Sequence, residues 1–465
     1  MKKILVLTAL AIAALMLSAP LGIASQSDDF NYQANPIVVQ YSTEMVVPQG
    51  LPLCRSASLG SIICYSPQFI RKAYNVPGSL DGTGQTIVIV DAFGSPTIAA
   101  DLALFDSLFH IPAPPSFTIL CGNGSCPNVN INANLRHDEF GWTIETSLDV
   151  EYAHAIAPGA NIVLDVASTS SGNAINDAEA TAIAAYPGAI FSQSFGIPEI
   201  FVHNNNAQVM QAQANYATGV ASGDTFFASA GDTGATFGFT TPMSNFPASD
   251  IHNVGVTGTQ GLPYNATGTL TPCPAYQTCT SGLSTYMGPC VLGRRTGSGC
   301  TPVGYGGEQV WNEPSFGAAT GGAQSLLFGV PSYQSGLGLT ARGPDVSYNA
   351  AVNGGVLVVY GGFGFPVLFI VGGTSAGSPQ WAGIAALANQ ARASAGKGPI
   401  GDINPVLYSI YHNAAKYAKD FHDITVGNDQ EVGTPVGYSA GTGYDLASGI
   451  GTPNVANLVS DLAAA

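Results

Sequence analysis

Short apolar runs alternate with alanine-rich amphipathic stretches along most of this chain. QTIVIVDAFG (85–94), ANIVLDVA (160–167), GAIFSQSFG (188–196), DTFFASAGD (224–232) and VLFIVGGTS (367–375) are continuous apolar runs ending in glycine or polar residues. Runs of this length without alternation are expected of parallel strands covered on both faces. WTIETSLDVEYAHAIA (142–157) and PQWAGIAALANQARASA (379–395) carry the helical period instead. The alternation predicts an α/β fold with a mostly parallel central sheet flanked by helices. Residues 260–310 interrupt the rhythm with Gly, Thr, Pro and Cys, and read as a long disulfide-pinned surface loop. No internal repeat and no charged linker divides the chain.

The first residues, MKKILVLTALAIAALMLSAPLGIASQ, place two lysines before an apolar run, followed by small residues. This is the pattern of a secretory signal peptide, read here as residues 1–24. Residues 25–60 are polar and mixed and read as an N-terminal arm; residues 61–465 read as the main domain. Secretion agrees with the eight cysteines. Their spacing suggests local staples: Cys54 to Cys64, Cys121 to Cys126, Cys273 to Cys279 and Cys290 to Cys300. None has the paired CxxC spacing of a zinc site. Past the signal peptide, no stretch is long and apolar enough to span a bilayer.

Charge narrows the function. Thirteen basic residues face 29 acidic ones, and only 9% of residues are charged. Such a surface cannot neutralise phosphates, so nucleic acid is excluded as a partner. In acid, the carboxylates protonate and few cations remain to repel one another.

Chemistry enters at GGTSAGSPQWAGI (372–384), which mounts Ser375 as a nucleophile in a G-x-S-x-G setting. A serine nucleophile needs a base, usually histidine. No histidine here stands in a familiar base motif. Two further polar residues, Asp91 and Asp232, stand with Ser375 at the ends of apolar runs, where open parallel sheets place their active crevice. On the helix GWTIETSLDVEYAHAIAPGA, Glu145 falls inside the apolar face of Ile144, Leu148, Tyr152, Ala155 and Ile156, with Asp149 four residues on at its edge. Side chains four apart are neighbours. Two carboxylates in a crevice repel and tend to share a proton. A glutamate can replace histidine as base, and works best where the pH is low.

These segments resemble a known family. GGTSAGSP is similar to the serine motif of subtilisin-like peptidases. FASAGDTG resembles the segment where subtilisins place their oxyanion-hole asparagine, with Asp232 standing there instead. ETSLDVEYAHAIAPGA resembles their histidine helix, with Glu145 in place of histidine. Those replacements are the mark of the sedolisins, the serine-carboxyl peptidases, and the resemblance runs from about Cys64 to the C-terminus, the 260–310 loop excepted. It implies a subtilisin-like three-layer fold. It also implies secreted, acid-acting cleavage of protein or peptide substrates, with an endopeptidase expected and a monomer by default. Ser375 would be the nucleophile, Glu145 the general base and then acid, and Asp149 its orienting partner. A protonated Asp232 would bind the oxyanion. Asp91 resembles a carboxylate that extends the network. FHDIT and AGTGYDLASGIGTP resemble the family's calcium site, with side chains of Asp423 and Asp445 and carbonyls of Ile424, Gly441 and Gly443 around one structural ion. The family's large N-terminal propeptide domain has no counterpart in the some 40 residues between the signal peptide and the peptidase-like region.

Rival readings stay distinguishable. An α/β-hydrolase esterase would use Ser375 with Asp402 or Asp423 and His412, with GYSAG (437–441) as a second candidate elbow. An ordinary subtilisin would need a histidine that His137 and His154 do not supply. A secreted binding protein on an inactive fold would tolerate loss of Glu145, Asp149, Asp232 or Ser375.

Overall fold

The computed structural model describes residues 30–43, 53–56, 60–122, 126–127, 137–202, 206–261 and 305–465. Its first strands are β1 (Ile37–Ser42), β2 (Leu53–Ser56) and β3 (Gly60–Tyr65), followed by helix α1 (Pro67–Ala73). Then come β4 (Thr86–Ala92), α2 (Ile98–Phe109), β5 (Phe117–Cys121), α3 (His137–Ile156) and β6 (Asn161–Ala167). Next are α4 (Gly172–Ala185), β7 (Ile190–Gln193), α5 (Ala207–Ala221), β8 (Thr225–Ser229) and β9 (Asn253–Gly261). Beyond residue 304 lie β10 (Glu308–Val310), β11 (Val346–Asn349), β12 (Gly355–Tyr360), β13 (Val367–Gly372) and α6 (Gly377–Ser394). Helices α7 (Asn404–Tyr411), α8 (Ala414–Asp420) and α9 (Val455–Ala464) end the chain.

The central sheet runs β10-β9-β8-β7-β4-β6-β5, with β11 also paired to β9. All its pairings are parallel except β9 with β10. Strand parity sorts the side chains into two cores. Ile87 and Ile89 of β4, Ile162 and Leu164 of β6, and Phe227 of β8 pack in the core that holds α3 and α6. Val88, Val90, Val163, Phe191 and Phe226 pack in the other core, with α4 and α5. Both faces are therefore covered, which is why these runs are apolar throughout. The expected α/β architecture of three layers is present.

One run behaves differently. VLFIVG, expected among the parallel strands, pairs antiparallel with β12 in a separate sheet of order β1-β13-β12-β3-β2. The glycine-rich turn between Tyr360 and Val367 folds it back as a hairpin, and apolar content alone cannot distinguish a buried hairpin strand from a parallel one. Disulfides join Cys54 to Cys64 and Cys121 to Cys126. The other two expected pairs, the signal peptide and most of the 260–310 segment lie outside the described residues. Among the described residues, no helix is long and apolar enough to cross a membrane.

Candidate active site

Helix α3 is the organising element. From Trp142 to Ala157 every residue is buried, because the helix is wedged between the central sheet, α6 and β12. Gly383 of α6 sits against Ile156, leaving no room for a Cβ. The acidic pair therefore lies on no solvated face: Glu145 and Asp149 are both 0% exposed. Asp91 has the parity of Ile87 and Ile89, so β4 presents it to the same side of the sheet. It too is fully buried.

Three buried carboxyls together cannot all ionise. Burial pushes Glu145 well above the usual carboxylate range, and repulsion from Asp149 and Asp91 adds to it. The Ser375 hydroxyl beside it pulls the other way, although neither Glu145 oxygen completes a hydrogen bond. Asp149 is raised by burial and then by Asp91, and Asp91 by burial. This environment favours a state in which the three share protons and do not ionise together.

Ser375 follows β13 in a 3-10 turn, Thr374–Ala376, that opens directly into α6. It is 5% exposed. Helix starts leave backbone N–H groups without intrahelical partners, so the Ser375 amide is free to meet an anion. Ser194, just past β7, ties the pieces together. Its Oγ stands 2.8 Å from Asp149 Oδ1 and 3.2 Å from the Ser375 carbonyl oxygen. A hydroxyl has one hydrogen. With Asp149 protonated, the carboxyl donates to Ser194 and Ser194 donates to Ser375, so both contacts are satisfied.

Asp232 follows β8. Its Oδ1 accepts from the Thr374 N–H at 2.7 Å and from the Thr374 hydroxyl at 2.8 Å; that hydroxyl accepts from Gly231 N–H at 3.0 Å. Burial pushes the Asp232 pKa up to about 6, against the Thr374 bonds that lower it. With Oδ1 taken by two donors, Oδ2 is the oxygen left to carry the proton. Gly373 makes room for it: its φ is +131°, and a Cβ there would lie 2.6 Å from Oδ2. Ser194 and Thr374 were not singled out in the sequence. Ser194 had a readable signal, a polar residue just past an apolar strand, as Asp232 is.

Several residues of the rival readings have partners of their own. His154 Nε2 meets the Pro112 carbonyl oxygen at 3.0 Å and Asp106 at 3.1 Å. Asp423 accepts from the Tyr417 hydroxyl and from Gly443 N–H, away from Ser375, and Ser439 bridges to Asn428 in the tail.

In the tail, the segment that holds Asp423 meets the 441–445 turn through Gly443. Gly443 N–H donates to both oxygens of Asp423 at 3.1 and 3.0 Å. Asp445 Oδ2 accepts from Gly441 N–H at 2.9 Å, and its Oδ1 from Ala447, Ser448 N–H and the Ser448 hydroxyl. No donor among the described residues reaches the carbonyls of Ile424, Gly441 or Gly443. No group of three or more His, Cys, Asp or Glu side chains there is arranged to hold a metal. An ion in this turn would rest on two carboxylates and backbone oxygens, a donor set that fits a hard cation such as calcium.

No family model matches the chain. Kumamolisin of Bacillus sp. (strain MN-32) is 30% identical over 406 residues, 84% of this chain and 62% of kumamolisin. Sedolisin of Pseudomonas sp. (strain 101) is 25% identical over 415 residues, 87% of this chain and 62% of sedolisin. The chain belongs to the sedolisin family. Its fold agrees with the solved structure of Pseudomonas sedolisin, a serine-carboxyl proteinase complexed with two molecules of pseudo-iodotyrostatin. The TM-score is 0.65 at 24% identity, covering 86% of this chain and 98% of that one. The chain spans about half to three-fifths of the length of the curated sedolisin relatives it matches.

Proposed function

We propose that this sedolisin is a secreted, acid-acting serine-carboxyl endopeptidase. The observation that carries the reading is the placing of Asp232, bonded to Thr374 next to Ser375 and lifted by burial to about 6, so that it is neutral in acid. An ionised aspartate would repel a tetrahedral oxyanion; a protonated one donates to it. In this reading Ser375 Oγ attacks the peptide carbonyl carbon while its proton passes to Glu145. The oxyanion takes hydrogen bonds from Asp232 Oδ2–H and from the Ser375 N–H. Collapse breaks the C–N bond, and Glu145 returns the proton to the leaving amine. Water then repeats the sequence on the acyl-enzyme. Asp149, held by Ser194, keeps a proton next to Glu145, and Asp91 extends that store from β4.

Calcium is the cofactor of this reading, held by Asp423, Asp445 and the carbonyls of Ile424, Gly441 and Gly443. Bound there it would cross-link the segment after α8 to the 441–445 turn and supply stability, with no part in the chemistry. The two disulfides support an oxidising compartment.

Protein cleavage across pH 2 to 8, for wild type and Glu145→Gln together, tests the proposal. Acid-limited cleavage lost in the Gln variant is the expected result. Cleavage that peaks near neutrality and ignores Glu145 overturns it.

A further inference from the structure

Asp429, in the loop between α8 and the 441–445 turn, is a buried carboxyl that the chemistry above leaves unused. It is 0% exposed. Its Oδ1 accepts from the Tyr438 N–H, and its own N–H donates to Tyr438 O at 3.1 Å. Its Oδ2 completes no hydrogen bond among the described residues. No cation pairs with it there either. Gly322 shows where Oδ2 lies. A Cβ on Gly322 would sit 2.8 Å from Oδ2 and strike the Leu446 carbonyl oxygen, so both oxygens stand on the side of Gly322 where a side chain would project. No donor among the described residues reaches Leu446 O. Buried acceptors left without a donor cost free energy, and a proton on Oδ2 supplies one. Burial pushes the Asp429 pKa well up, against the Tyr438 bond that lowers it, and Asp445 adds to the rise.

The same residue holds the segment that carries Asp232. Ala319 N–H donates to Asp232 O at 3.1 Å, Gly234 N–H to Ala319 O at 2.9 Å and Gly321 N–H to Gly231 O at 2.7 Å. Residues 231–235 and 319–322 thus form a short ladder with Asp232 in it. Asp429 meets both sides of this ladder. Its carbonyl oxygen accepts from Ala235 N–H at 3.3 Å, three residues past Asp232. Its Oδ2 lies against Gly322, three residues past Ala319. Gly234 admits the contact: its φ is +70°, and a Cβ there would lie 2.8 Å from Asp429 O. Asn312 secures the loop in turn, its Nδ2 donating to Gln430 O at 2.8 Å and to Asn428 O at 3.1 Å. Thr374 fixes the Asp232 carboxyl and the Gly231 N–H; the backbone after Asp232 is fixed by the ladder and by Asp429.

We propose that Asp429 is a positioning residue for the oxyanion site: it locks the 231–235 and 319–322 segments together, so that Asp232 stays aimed at the oxyanion formed on Ser375. The proposal rests on the peptidase reading and adds a residue to its machinery. Asp429 acts through Asp232 and takes no part in the bond changes. An oxyanion donor works only within hydrogen-bond reach of the developing charge, and a misplacement on the order of 1 Å can cost about 10²-fold in rate. Substrate binding depends less on this alignment, because the donor meets the charge of the transition state and not the ground-state carbonyl. Loss of Asp429 therefore falls on kcat more than on KM. An amide at this position keeps the shape of the protonated carboxyl. Its oxygen still accepts from the Tyr438 N–H, and its NH₂ stands where Oδ2–H would donate to Leu446 O.

The test is a double-mutant cycle on the full chain in acid: wild type, Asp429→Ala, Asp232→Ala and the two together, with Asp429→Asn alongside. It reads kcat and KM for peptide cleavage and the thermal melt of each protein. Asp429→Ala is expected to lower kcat about 10–10²-fold with KM little changed, and Asp429→Asn to keep most of the wild-type kcat. In the Asp232→Ala background the same Asp429→Ala change should cost little more, because the donor it positions is already gone. An equal loss in both backgrounds overturns the proposal. So does a lowered melting temperature with wild-type kcat, which would make Asp429 a support of the tail alone. Asp429→Ser takes the place of Asp429→Ala if the latter does not fold. If no chain cleaves peptide, wild type included, the peptidase reading fails, and Asp429 is judged by amide hydrogen exchange. Exchange at Gly234, Ala319 and Gly321 that is faster in Asp429→Ala than in wild type, and unchanged in Asp429→Asn, supports its hold on the Asp232 segment; equal exchange in all three overturns it.

Discussion

Asp232→Asn offers the sharpest check on the proposed chemistry. The amide keeps the shape of the protonated carboxyl. Its oxygen can still accept from the Thr374 N–H and hydroxyl, as Oδ1 does at 2.7 and 2.8 Å, and its NH₂ stands where Oδ2–H would donate. What it lacks is a titration. Burial holds the Asp232 pKa at about 6. The neutral fraction is therefore roughly 99% at pH 4, half at pH 6 and one-tenth at pH 7. Wild-type kcat/KM should fall about ten-fold per unit above pH 6, because rising pH only helps a general base and removes the oxyanion donor. Asp232→Asn should keep most of its activity at pH 4 and lose that alkaline fall. Asp232→Ala should lose the donor at every pH, about 10²–10³ in kcat. It also leaves the Thr374 N–H without its acceptor, at about 1–3 kcal/mol of stability. The assay is kcat/KM from pH 3 to 8 for the three proteins, with thermal melts as a control for folding. The carboxyls near Glu145 titrate together, so the limbs report values of the network as a whole. An alkaline fall at the same pH in Asp232→Asn would refute the assignment, as would wild-type activity in Asp232→Ala.

Other predictions concern stability and geometry. Asp165 has the opposite parity to Ile162 and Leu164 and faces the α4–α5 side, where burial, and then Asp165, raises the pKa of Glu179; burial lifts Asp165 to about 7. The folded state keeps this proton while the unfolded chain loses it near pH 4. Stability is full below pH 4 and falls as pH rises to 7, by about 4 kcal/mol. Asp165→Asn should flatten the melting temperature between pH 4 and 7; an unchanged slope counts against it. Gly373→Ala strains a φ of +131° and drives a Cβ into Asp232 Oδ2. It should cost about 1–3 kcal/mol and reduce kcat more than it raises KM, whereas wild-type kinetics would show that Oδ2 is not held there. A calcium chelator should lower the melting temperature of wild type and have little effect on Asp445→Ala; equal effects on both would reject the tail site.

Much of the layered fold could be read from the chain because burial on both faces demands apolar side chains at every strand position, whatever their order in the sheet. The Glu145 helix and the Ser375 turn were legible for a related reason: a carboxylate inside an apolar face, or a serine among glycines, contradicts its surroundings. Residues that belong to local patterns were harder to see. VLFIVG looks the same in a parallel sheet or a hairpin, and only its pairing with β12 and β1 separates the two. Ser194 and Thr374 are ordinary polar residues until the fold sets one against Asp149 and the other against Asp232. The arm at residues 30–42 has no periodic signal, and only the fold pairs it with two distant glycines, Gly196 and Gly372.

By itself, then, the sequence determined that the strands must avoid solvent, that a carboxylate stands inside an apolar helix face, and that a serine stands among glycines. Tertiary structure alone decided which carboxyls meet, because desolvation and mutual repulsion depend on distance through space. It also decided which oxygen of Asp232 carries the proton, because that rests on the two donors Thr374 brings to the other.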